Sequence, residues 1–310
     1  MTESAGSITS CDIVAIGGGH GLAMTLRAVR HYALDITAIV SVADDGGSTG
    51  RLRRDLGVLG MGDLRKCLVA LGDPDAPFTR AMEYRFGAGD LEGHALGNLV
   101  LVGLADVSND WETALAEAGR LVGSVGRVLP ATAGPVILEA EVDGGVVTGQ
   151  VAIQNSRRRI RRVSLVPADA PSPAAVAEAI EAADQIVLAP GSLFTSLMPT
   201  LMVPAVQAAL AATPAAIVQI SNLASQIPET EGLSAADHLA TVLDAGVRVD
   251  RYIVDSNSGL AVDPDAITAL GVTPVVADVA RPDASAHVPA KLAPVLAALL
   301  QSRAVVEGDR

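Results

Sequence analysis

Asp12-Ile13-Val14-Ala15-Ile16-Gly17-Gly18-Gly19-His20-Gly21-Leu22 is the stretch that decides the fold. An apolar run of strand length breaks on glycines, and Leu22, Leu26 and Val29 then recur at helical spacing. Ile36–Ala43 follows as a second apolar run rich in β-branched residues, so the first fifty residues give strand, helix, strand. Glycines between a strand and a helix present backbone N–H groups and a helix N-terminus to an anion, which makes Gly18, Gly19, His20 and Gly21 candidate phosphate contacts. The spacing is not the dinucleotide fingerprint, because Leu22 stands where its last glycine belongs, and the Lys-Ser/Thr of a P-loop is missing too.

Outward from this turn the chain alternates. Helices are expected around Leu64–Leu71 and over Asp75–Phe86, His94–Val107 and Trp111–Val122. Val136–Val142 and Val146–Ile153, separated by Asp143-Gly144-Gly145, are expected to form a β-hairpin. From Pro173 onward strands at 185–189, 215–220, 251–254 and 274–277 alternate with helices, and a last helix carries Leu292, Leu296 and Leu299. Repeated βα units imply a mostly parallel sheet with helices on both faces. The expectation is a single α/β, modified Rossmann-like domain over 1–310, with an inserted helical and hairpin region at about 60–165.

Composition narrows the function. Half of the 310 residues are hydrophobic and 18% are charged, which describes a folded chain. Aromatics are only 2%, so Ala, Val, Leu and Ile must build the core. A formal net charge of -13 argues against nucleic acid as a partner. Cys11 and Cys67 lack metal-ligand spacing and are expected to stay reduced in the cytosol. Met1–Ser10 has no basic start or apolar centre, so no signal peptide is expected. Val203–Ile220 is apolar but carries Pro204 and Pro214, and is expected to be helix, turn and strand instead of a membrane span.

Three further stretches carry chemistry. Asp44-Asp45-Gly46-Gly47-Ser48-Thr49-Gly50-Arg51 closes the second strand, and its paired acids can hold a divalent cation or a ribose while Ser48, Thr49 and Arg51 serve an anion. Asp63 and Arg65 open the next helix; Asp63 is either its N-cap or a partner of Asp44 or Asp45 around a metal. Pro190-Gly191-Ser192-Leu193-Phe194-Thr195-Ser196 repeats the strand–turn–helix logic, with Gly191, Ser192 and Thr195 as contacts, and Ser221-Asn222 ends the next strand. His94 and Asn98 share a helix face, as a satisfied polar pair or as ligand contacts. Arg157–Arg162 holds five Arg in six positions, which is either a solvated strand edge or a docking site for a polyanion, the former being favoured.

These stretches, with Gly62-Asp63-Leu64-Arg65, Gly93-His94-Ala95-Leu96-Gly97-Asn98 and Gly126–Thr132, lie in an order that resembles the gluconeogenesis-factor family, a relative of the 2-phospho-L-lactate transferases of deazaflavin coenzyme synthesis. The resemblance implies a modified Rossmann fold, a cytoplasmic location, UDP-sugar binding and a role in cell shape and wall synthesis during gluconeogenic growth. From the transferase relatives it implies a divalent metal such as Mg2+ served by Asp45 and Asp63. Three positions depart from the family pattern. His20 replaces a usual Thr, Asp255–Leu260 lacks a Tyr-containing stretch, and Ala286-His287-Val288 stands where Arg-His-Asp is common. Two readings follow, a nucleotide-sugar sensor and a metal-dependent transferase of phospholactyl type, with an NAD(P) oxidoreductase disfavoured by the broken fingerprint. Self-association into a homo-oligomer is left open.

Overall fold

The run that opens the sequence argument becomes the middle of the molecule. A computed structural model describes residues 9–308, so Met1–Ile8 of the N-terminal reading lie outside the described residues. Strand β1 (Thr9–Gly17) leads to α1 (Gly19–Val29) and β2 (Ala33–Val40). Helices α2 (Gly47–Leu56), α3 (Met61–Leu71), α4 (Pro77–Glu83), α5 (Leu96–Ser108) and α6 (Trp111–Val122) carry the chain to β3 (Arg127–Pro130). Next come β4 (Ile137–Val142), β5 (Gly145–Thr148), the short α7 (Gln150–Gln154) and β6 (Ile160–Val166). The remainder runs α8 (Ala174–Ala182), β7 (Gln185–Leu188), a π-helical turn (Leu193–Leu197), α9 (Met198–Leu201), α10 (Pro204–Ala212) and β8 (Ala216–Ile220). It closes with α11 (Ala235–Asp244), β9 (Arg251–Asp255), α12 (Pro264–Ala269), β10 (Thr273–Ala277) and α13 (Pro289–Gly308).

Seven strands form one parallel sheet in the order β10-β9-β8-β7-β1-β2-β3. Ile16 of β1 registers with Ile39 of β2 on one side and with Leu188 of β7 on the other. All four residues of β7 are buried, as expected of a parallel strand covered on both faces. The one polar member, Gln185, is satisfied by the Tyr32 hydroxyl at 2.8 Å and the Leu296 carbonyl at 3.1 Å, which ties α13 to the sheet. Aliphatic side chains fill the core: Ile13, Ile16, Leu22, Leu26 and Ile39 are essentially inaccessible. The chain leaves β1 toward β2 and β3 in one direction and reaches β7, β8, β9 and β10 in the other. The topological switch, where α/β sheets open a crevice, therefore lies between the carboxyl ends of β1 and β7.

The structure differs from the sequence expectations at five places, the first being that α5 starts at Leu96, so His94 precedes the helix whose face it was expected to share with Asn98. β3 rejoins the main sheet beside β2, so α3–α6 are a long crossover within it, and 60–165 is not one continuous insertion. The separate unit is a three-stranded antiparallel sheet, β5-β4-β6. The hairpin's second arm stops at Thr148, and Gln150–Gln154 turns helical where a strand was expected to run to Ile153. Gly47–Arg51 is the opening of α2, and Asp63 sits inside the first turn of α3 behind an N-cap at Gly60, so Asp63 is not the cap. Val203–Ile220 does resolve into helix, turn and strand, and among the described residues no single helix is long and apolar enough to cross a membrane.

Candidate functional site

At the switch point Gly18, Gly19, His20 and Gly21 face Gly191, Ser192 and Ser196 across a cleft of about 320 Å3, with Asp44, Asp63 and Lys66 on a third side. Close packing of the two turns requires glycine at Gly21, where an added Cβ would lie 1.7 Å from the Pro190 carbonyl oxygen. Gly19 adopts φ +62 and an added Cβ there would meet nothing within 4 Å, so the turn is shaped by backbone and open above. No side chain caps α1, and its first residues, Gly19, His20 and Gly21, line the cleft. The strand–turn–helix geometry expected of Gly18–Gly21 is therefore present at the cleft.

The acids are arranged differently from the expected metal pair. Both oxygens of Asp45 are taken by the backbone N–H groups of Gln150 (2.9 Å) and Val151 (3.0 Å), so Asp45 fastens α7. It is Asp44 that joins Asp63 on the cleft wall. Burial pushes the Asp44 carboxyl above the ordinary carboxylate range and the Asp63 charge adds to this, partly offset by the Gly46 N–H at 3.0 Å and the Thr49 hydroxyl. Asp63, 5% exposed, binds Lys66 through Oδ1 at 2.9 Å, while a Cβ added to Gly18 would lie 2.8 Å from its Oδ2. A carboxylate oxygen thus faces the glycine turn. Lys66 and burial hold His20, at the exposed rim, below its usual pKa.

Other candidates gather behind the cleft. The Ser48 hydroxyl meets His94 Nδ1 at 3.1 Å and accepts from Asn98 at 3.1 Å, and Arg65 donates to Asn98 Oδ1 and to the Met82 carbonyl, both at 3.1 Å. Ser48, Thr49, Arg65, His94 and Asn98 are all buried, and this chain ties α2 to α3 and α5. Burial and Arg51 lower the His94 pKa. Arg51 itself reaches away from the cleft to the Glu92 carbonyl at 2.7 Å. Asn222 clamps the loop after β7, accepting from Gly191 N–H at 2.8 Å and donating to the Gly191 carbonyl at 2.7 Å. At the far end of the sheet, Asp255 accepts from the Val279 and Ala280 N–H groups at 2.8 and 2.9 Å. Burial pushes the neighbouring His287 down to about 4, opposed by Asp255.

Sequence reasoning missed Glu229. Its buried carboxylate accepts from the Phe194 N–H at 2.8 Å, from Thr195 at 3.1 Å and from Ser192 through a short hydrogen bond. The second predicted anion site is therefore filled by the protein's own anion. Gln150 and Gln154 brace the same turn through Thr195, at 2.9 and 3.0 Å. They also line the cleft, but the strand expected over Val146–Ile153 hid their shared helical face. Lys66 was readable, three residues after Asp63 on one helix.

Comparison with known proteins places this geometry. The model of the 2-phospho-L-lactate transferase CofD family matches residues 13–288. A gluconeogenesis factor of Bacillus subtilis is 42% identical over 229 residues, covering 73% of this chain and 72% of that protein. One from Halalkalibacterium halodurans is 41% identical over 235 residues, covering 75% and 73%. A crystal structure of a Bacillus halodurans member of the upf0052 family superposes with a TM-score of 0.88 at 35% identity, over 93% of this chain and 99% of that one. A superposition over 93% of the chain and a family match running from β1 past β10 leave one assignment: the chain belongs to the 2-phospho-L-lactate transferase CofD family and is similar to gluconeogenesis factors over about three quarters of its length.

Proposed function

We propose that the cleft binds the diphosphate of a UDP-sugar together with Mg2+, and that the protein serves as a cytoplasmic nucleotide-sugar sensor supporting cell shape and wall synthesis during gluconeogenic growth. One observation carries the reading. The uncapped N-terminus of α1, on a glycine turn, faces Asp44 and Asp63 across the switch-point cleft. A bare phosphate on Gly18–Gly21 would meet the Asp63 oxygen, so an anion there calls for a cation beside it. Mg2+ suits such a place, because it is commonly bound by one or two carboxylates plus substrate phosphates. Among the described residues no group of three or more His, Cys, Asp or Glu is placed to hold a metal, so phosphate oxygens would complete the shell. When bound, the ion would screen the diphosphate charge from both carboxylates. Asp44 and Asp63 would hold it, and the α1 N–H groups and Lys66 would orient the phosphates.

The cleft offers little for turnover. Ser192 donates its proton to Glu229, and His20 at the rim is the one histidine lining the cleft. The family match and the acid–lysine wall favour a second reading, transfer of a phospholactyl group from a nucleotide donor to an acceptor alcohol with release of the nucleoside monophosphate. Chromatography after hours with Mg2+, a deazaflavin acceptor and either a UDP-sugar or a phospholactyl-bearing nucleotide donor separates the two. Intact nucleotide is expected. Steady release of free nucleotide, lost in Asp44→Asn, would replace the sensor with the transferase.

A further inference from the structure

The arginine run takes no part in the cleft. β6 is an outer strand of the small sheet and, among the described residues, pairs only with β4. A groove of about 1300 Å3 runs beside it and touches Ile160, Arg161, Arg162 and Val163 in succession. Arg162 pairs with Glu141 and Ile160 with Val142, so Arg161 is an extra residue at an irregularity in the ladder, and the groove lies against the edge strand of the small sheet. Every second residue on such an edge turns its N–H and C=O away from the paired strand. Met198, Met202, Phe194 and Leu233 give the groove apolar surface, and Asp237 and Asp244 of α11 stand on another side.

Charge selects the occupant. Arg161 is bridged to Asp143 at 2.7 Å, whereas Arg157, Arg158, Arg159 and Arg162 form no salt bridge among the described residues. A second copy paired edge to edge would set arginine against arginine. Polyphosphate or nucleic acid would use the arginines and leave the open strand and the methionines without a role. An extended protein segment that alternates acidic and apolar side chains uses all three: backbone to β6, acids to the arginines, apolar groups to Met198 and Met202. We propose that the β6 edge docks such an acidic segment of a partner protein by strand addition. The acids of α11 restrict the segment's own acids to the β6 side, which fixes how it lies. The Arg run is then an interaction surface and not merely a guard against edge pairing.

A fluorescent decapeptide of alternating Glu and Val, titrated into the full chain by anisotropy, is the direct probe. Saturable binding is expected, weakened about tenfold or more by Arg158→Glu/Arg162→Glu with an unchanged melting temperature. N-methylation of alternate peptide amides should weaken it similarly, since strand addition needs those N–H groups. Equal binding of oligo-glutamate or polyphosphate with no effect of N-methylation would overturn the proposal in favour of plain anion adsorption. No binding of the Glu/Val peptide would also overturn it. So would sedimentation showing a dimer that dissociates on the Arg158→Glu/Arg162→Glu change, because the surface would then belong to a second copy.

Discussion

Two turns leave adjacent strands of one sheet by the same local chemistry and end differently. Gly17–Gly21 follows β1, and Pro190–Ser196 follows β7; each presents backbone N–H groups at the start of a helical segment. The first stays open above Gly19. The second is closed by Glu229, 35 residues beyond Phe194 in sequence. A helix N-terminus is thus an anion site by its nature, and whether a ligand or the chain itself fills it depends on a distant residue. The closed turn has its hydroxyls and the Phe194 N–H satisfied by the chain itself, and at Pro190 it is the wall against which Gly21 of the open turn packs.

The most disruptive change should be the one that separates the two turns. Gly21→Ala places a methyl against the Pro190 backbone and is expected to cost about 3 kcal/mol in chemical denaturation, because neither backbone can yield cheaply. Glu229→Ala should cost about 2 kcal/mol by leaving the Phe194 N–H and two hydroxyls without their acceptor. It should also reopen the second site, so that inorganic phosphate raises the melting temperature of this variant more than that of the wild type. Equal phosphate effects would mean that the two turns do not differ as described.

Asp44 sharpens the other side of the comparison. Its raised pKa means that ionisation is less favourable in the folded chain than in the unfolded one, so without ligand Asp44 erodes stability as pH rises above about 4. Asp44→Asn should flatten that slope in pH-dependent melting and weaken Mg2+-dependent nucleotide affinity roughly tenfold, about 1.4 kcal/mol. Conversely, wild-type affinity with Mg2+ should be lower at pH 5 than at pH 7. The smallest effect is expected from Ser48→Ala, about 1 kcal/mol of stability with ligand affinity unchanged, since Ser48 serves His94 and Asn98 behind the cleft. A large affinity loss at Ser48 would move that network into the binding site.

The open turn was legible because its logic is local: an apolar run, glycines and a helical repeat lie within Asp12–Val29. The parallel sheet followed from the repetition of that unit. What stayed hidden depends on partners far along the chain. Gln150–Gln154 looks like strand by its apolar content, yet Asp45, 105 residues earlier, supplies the carboxylate that starts it as a helix. β3 is four residues long, too short for a periodic signal, and pairs with a strand five helices earlier. Glu229 sits in an irregular segment with no pattern that sets it apart from any exposed acid. Asp44 and Asp45 are adjacent in sequence, and only the folded chain shows that one faces the cleft and the other caps α7.

Titration calorimetry of a UDP-sugar into the full chain, with and without Mg2+, tests the central claim most directly when run on the wild type, Asp44→Asn and Asp45→Asn. The account predicts saturable binding that depends on Mg2+ and a loss of that dependence in Asp44→Asn. Asp45→Asn should lower stability through α7 while Mg2+ still tightens binding. Binding indifferent to Mg2+ in the wild type, or a Mg2+ dependence lost with Asp45 and kept without Asp44, would contradict it.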